Sequence, residues 1–161
     1  MNIQLLYNSL PLIGGMIAAG IFTVDVKSQK GIVMQNRIVL HFQDGEVVKG
    51  STGDFSPEKP WFHLTKKTSG ETIKVDPSRL KGIFFVKCFD GNPTYKERID
   101  MERPGLGRRV MVCFKDGENL FGYTTGVSPG RKGFFLFFSD PENNNEKVFV
   151  LTAATDDVLL G

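Results

Sequence analysis

A chain of 161 residues that is 24% charged and 40% hydrophobic carries enough apolar material for a packed core, which excludes a disordered protein. Its formal net charge of +2 is too small to build a long-range field for nucleic acid or an anionic bilayer. Cys88 and Cys113 are the only cysteines, too few for a stapled secreted domain, so a reducing compartment is expected.

Residues 1–24 contain no charged side chain, yet they lack the leading cations and the small-residue cleavage site of a secretory signal. Ser9 followed by Leu10-Pro11 reads as a helix cap and first turn, and residues 12–22 then hold no polar side chain. A helix apolar on every face belongs in a bilayer or inside an assembly. At about 1.5 Å per residue, the stretch from Ile3 to Val24 could cross a hydrocarbon layer of about 30 Å. Leu10, Leu12, Ile13, Met16, Ile17, Ile21 and Phe22 are the expected contacts with membrane or partner. Lys27, Lys30 and Arg37 follow at once, so a spanning segment would leave the rest on the cytoplasmic side of the inner membrane. A docked segment would leave the protein cytoplasmic. Residues 25–35 read as a connector.

From residue 36 the chain repeats itself. Residues 37–64 and 109–136 are identical at 11 of 28 positions, where composition alone would give about two, and the shared elements include Phe-x-Asp-Gly-Glu and Ser-Pro. Within each copy the first strand alternates, with Ile38, Leu40 and Phe42 on one face and Val110, Val112 and Phe114 in the other copy. Asp44-Gly45 and Asp116-Gly117 supply hairpin turns, and Gly50 and Gly122 mark a bend in each second strand. Ser56-Pro57 and Ser128-Pro129 turn the chain into third strands at 61–66 and 133–138. Fourth strands are expected at 73–76 and 148–151. A one-turn helix then leads into fifth strands at 82–89 and 158–160.

These patterns give a mainly β chain: two tandem five-stranded small barrels, of the Sm or SH3 kind, at 36–89 and 108–161, behind an N-terminal hydrophobic helix. The charged linker 90–107 opens with Asn92-Pro93 and spaces Tyr95 and Ile99 four apart, which predicts one short helix.

The segments Phe114-Lys-Asp-Gly-Glu118, Gly122-Tyr-Thr124, Ser128-Pro129, Gly133-Phe-Phe-Leu136 and Asn144-Asn145 resemble an uncharacterised bacterial domain family. Phe55, Phe62-His-Leu64 and Phe84-Phe-Val-Lys87 join the likeness, which covers residues 36–161. It implies tandem small barrels, sometimes found beside PilZ-type signalling domains, and no agreed activity. The strand order also resembles an Sm fold, but 55–58 and 127–130 lack the elements with which Sm proteins hold RNA bases.

No residues converge on catalysis. His41, His63, Cys88 and Cys113 show no metal-ligand spacing, and no phosphate loop or dinucleotide fingerprint is present, so neither a metal nor a cofactor is expected. His63 near Ser56 has no counterpart in the second copy, where Phe135 stands instead, and it reads as a partly covered strand histidine. What remains is apolar surplus: Phe135, Phe137 and Phe138 run nearly together, with Phe84-Phe85 and Leu159-Leu160, so both strand faces are apolar where a closed barrel has one inside. The outer residues are expected to meet the sister copy or another protein. The leading expectation is a non-enzymatic protein-interaction or scaffold subunit whose partners are other protein subunits. Nucleic acid is the alternative partner, through Arg108, Arg109, Arg131 and Lys132, and a small-ligand sensor is a third.

Overall fold

The alternating pattern becomes ten antiparallel strands in the computed structural model, which describes residues 34–161. They are β1 (Asn36–Phe42), β2 (Val47–Thr52), β3 (Phe62–Lys66), β4 (Thr72–Val75), β5 (Leu80–Val86), β6 (Arg108–Phe114), β7 (Asn119–Thr124), β8 (Gly133–Phe138), β9 (Asn145–Leu151) and β10 (Thr155–Leu160). Short 3₁₀ turns at Pro77–Arg79 and Thr152–Ala154 precede β5 and β10, where one-turn helices are expected. The apolar run of residues 1–24, with its expected helix and contact residues, lies outside the described residues.

The sheet order is β10-β6-β7-β8-β9-β5-β1-β2-β3-β4, so each half runs fifth, first, second, third, fourth strand. This corrects the expectation of two closed barrels. Among the described residues neither half closes on itself, because the edge of β5 that closure would need is paired with β9, and all ten strands form one sheet. The physical reason lies in β5 and β9 themselves. Ile83 and Phe85 point into the core of the first half, with Phe149 and Leu151 from β9. Phe84 and Val86 point the other way, into the second half's core, where Val148 and Val150 also lie. Strands apolar on both faces are buried on both faces by lying side by side between two cores.

The two hairpins obey the same rules. Gly45 and Gly117 both take φ +92°, and the carboxylates of Asp44 and Asp116 each accept the N–H two residues on at 3.0 Å, giving a three-residue loop that ends in a left-handed glycine. Gly50 and Gly122 sit where the second strand crosses the third so closely that a Cβ would come within 2.4 Å of the Thr65 carbonyl oxygen and 2.3 Å of that of Phe137.

The linker forms turns rather than the expected helix. Asn92 caps Thr94 through its side chain, but the N–H of Arg98 donates to the carboxylate of Asp140 instead of continuing a helix. Asp140 is buried at 2% exposure and also receives the Arg98 side chain at 2.9 and 3.0 Å and the hydroxyl of Tyr95. The Arg98 guanidinium holds its carboxyl well below the usual carboxylate range, and the linker is tied to the end of β8.

Candidate functional site

The junction between the halves shows what this sheet does with a covered edge. All seven residues of β5 are buried, with Phe84 at 5% exposure. The ladder skips Lys81, which bulges between Leu80 and Gly82. Its side chain is 8% exposed, and its ammonium donates to Asp116 and Glu118 in the β6–β7 hairpin and lies 4.5 Å from the Phe114 ring centre. Burial alone would lower the Lys81 pKa, and the hydrogen bonds to the two carboxylates more than offset it, leaving it raised. The same bond holds the carboxyl of Asp116 down. The His41 ring packs at a tilt of 39° against Phe84 with ring centres 4.4 Å apart, and burial lowers its pKa against the opposing pull of Glu118. Gly82 gives β9 room, since a Cβ there would meet Val148 Cγ2 at 3.1 Å.

The last strand repeats this arrangement without the cover. Val39 pairs with Phe84 as Met111 pairs with Leu159, and Ile38 with Phe85 as Val110 with Leu160. The ladder of β10 skips Asp156 as that of β5 skips Lys81. Leu159 therefore stands for Phe84, Leu160 for Phe85, Asp156 for Lys81 and Asp157 for Gly82. The outer edge of β10 pairs with no strand among the described residues. Leu159 is 47% exposed and Leu160 42%, and they border a groove of about 270 Å³ with Ile99, Met111 and Phe121. An unpaired strand beside an apolar groove can take an extended chain by adding it as the next strand.

The aromatic residues singled out in the sequence are not gathered into this surface. Phe138 is buried in the second half's core, and Phe135 is half-buried against Phe85 and Phe149 at ring distances of 6.1 and 5.1 Å. Phe137 is half-buried beside Phe135. The basic residues are separated too. Arg109 donates to the Tyr123 hydroxyl at 3.2 Å and to the Asp100 carbonyl at 2.8 Å, so it braces the linker. Arg108 is exposed and reaches the carbonyl of Gly161. Arg131 and Lys132 line a different cleft, of about 390 Å³, between the β2–β3 and β7–β8 loops.

Reading for chemistry alone passes over Lys81, Met111 and Phe121. The available signal is disagreement between the copies: a lysine in one fifth strand answers to an aspartate in the other, which marks two different environments.

His63 Nδ1 lies 2.8 Å from Asp54 Oδ2, and the other carboxylate oxygen, Oδ1, accepts the backbone N–H of His63 at 2.9 Å. Those bonds hold the Asp54 carboxyl down against the upward push of burial. The Trp61 ring, not a nucleophile, packs against the imidazole at 5.1 Å. Among the described residues there is no group of three side chains able to hold a metal ion, and no helix is long and apolar enough to cross a membrane. No curated protein and no solved structure matches the chain. A family model does match residues 34–161, and the chain belongs to that family, DUF6982, a family of unknown function.

Proposed function

We propose that the chain is a non-enzymatic protein-interaction subunit that accepts a strand of another protein along β10. One observation carries this reading: Leu159 and Leu160 stand about half exposed at the places where Phe84 and Phe85 are buried beside β9 in the other half. On this reading the duplicated five-strand unit serves two ends, one copy holding its sister and the other holding a partner. The apolar run Leu10–Phe22 tethers the protein to the cytoplasmic face of the inner membrane, making it an accessory component of a membrane-associated complex.

The test is copurification of the full chain from native membranes, compared with a Leu159→Asp variant. The proposal expects a protein that is retained by the wild type, lost with Leu159→Asp and kept with a Lys132→Glu control. A bound set unchanged by Leu159→Asp overturns it. The nucleic-acid alternative draws on Arg131 and Lys132 at the larger cleft, and it would show instead as salt-dependent RNA binding lost with Lys132→Glu. Release of the protein from washed membranes on deleting residues 1–24 tests the tether.

A further inference from the structure

We infer that the β10 edge is reserved for a strand of a different protein, one bearing a lysine or arginine that reaches Asp156, and that second copies of this chain are kept off it by Asp156, Asp157 and Lys74. The inference rests on the reading of β10 as a docking edge and specifies its occupant.

The junction supplies the template. If a second copy continued the sheet, its β4 would take the place that β9 holds beside β5. The pairing of His63 with Lys74 corresponds to that of Phe135 with Phe149, and that of Leu64 with Ile73 to that of Leu136 with Val148. Lys74 would therefore arrive where Phe149 enters the first half's core. At present its ammonium lies 4.2 Å from the Trp61 ring centre, at the solvent edge. Asp156 would stand where Lys81 stands, facing the second copy's Asp44 and Glu46 in the places of Asp116 and Glu118. Three carboxylates would then meet where the junction has one ammonium and two, a repulsive contact in a covered site. Asp157 would put a side chain where Gly82 has none, against the incoming strand.

Each change alone weakens self-pairing, and together they are the charged edge residues by which sheets avoid joining edge to edge. A partner that does fit must reverse them, with an apolar side chain in the place of Phe149 and a cation toward Asp156.

The experiment uses the full-length chain with Cys88 and Cys113 changed to serine and Ile73→Cys and Leu159→Cys introduced. Phe84 faces Val148 in the junction, so these two cysteines face each other only if β4 of one molecule pairs with β10 of the next. Both introduced positions lie outside the fully buried core, and an unchanged β-sheet circular-dichroism spectrum confirms the fold of each variant. With Asp156 and Lys74 intact no disulfide-linked ladder is expected. With Asp156→Lys and Lys74→Phe added, a ladder should rise by roughly tenfold or more. A ladder with Asp156 and Lys74 intact overturns the exclusion of second copies. No ladder in either background overturns the equivalence of β10 with β5. The cationic partner is tested separately: Asp156→Lys should release the protein retained in native copurification, and unchanged retention overturns that assignment while leaving β10 as the docking edge. Loss with Leu159→Asp but not with Asp156→Lys would thus separate the two readings.

Discussion

β5 and β10 are made by the same local rules: each follows a 3₁₀ turn, pairs antiparallel with the first strand of its half, and bulges by one residue. β5 is buried along its whole length because β9 covers its second edge. β10 keeps its second edge open among the described residues, and its burial is at most partial. The difference lies in a few side chains and teaches that a duplicated unit can present the same strand edge in two states, covered within the chain at β5 and open among the described residues at β10. A lysine between two carboxylates fills the covered place, and an aspartate stands at the equivalent place of the open one.

The sharpest way to break this comparison is to truncate the equivalent side chains. Phe84→Ala should cost about 3–5 kcal/mol, as expected for an aromatic removed from a packed core. Leu159→Ala in the protein alone should stay within about 0.5 kcal/mol, because its side chain is already half in water. Urea unfolding of the two variants checks this. Equal losses would mean that β10 is covered.

Next in size is the linker clasp. Asp140→Ala removes the acceptor for Tyr95, Arg98 and the N–H of Glu142, and should lower the urea midpoint at neutral pH by less than Phe84→Ala does, since Arg98 can turn to water. The Asp140 carboxyl is depressed in the folded protein, so its contribution is complete above the unfolded value of about 4 and is lost as pH falls through the folded one. The wild-type urea midpoint should therefore approach that of the variant as pH is lowered from 5 toward 2.

Much of this fold was legible in the residues. The alternation of Ile38, Leu40 and Phe42, the Asp-Gly turns and the repeat itself mark ten strands in two like sets. The joining of the sets was not legible, because β5 and β9 are some sixty residues apart and alternation within a strand does not name its neighbour. The all-apolar run through Phe84 and Phe85 announced burial on both faces without saying by what. Asn92-Pro93 signalled a helix, and the buried carboxylate of Asp140 overrode it by taking the N–H of Arg98. The edge proposed for docking was half visible: Leu159 and Leu160 stood out as surplus, while Asp156 acquires meaning only once its place is matched with that of Lys81.

Smaller effects sharpen the comparison further. Lys81→Ala should destabilise by about 1–2 kcal/mol, because its two acceptors are half-exposed and recover water. Asp156→Ala should be close to neutral in the protein alone. A thermal melt of both variants gives the contrast.

The smallest expected effect is at His41, whose pKa is lowered by burial. The unfolded chain takes up a proton near pH 6.5 that the folded protein resists, so stability should decline as pH falls from 7.5 to 5.5. His41→Phe, which keeps a ring against Phe84, should flatten that decline in urea titrations at the two pH values.

Amide hydrogen exchange along β10 tests the docking edge most directly, comparing the full chain alone with the complex as it copurifies from native membranes. In the chain alone, amides of β5 should be strongly protected, while alternate amides of residues 157–161, those facing away from β6, should exchange as an open edge. In the complex those same amides should become protected and those of β4 should not change. Protection of β10 already equal to that of β5 in the chain alone, or protection gained on binding elsewhere than β10, would contradict the role assigned to this edge.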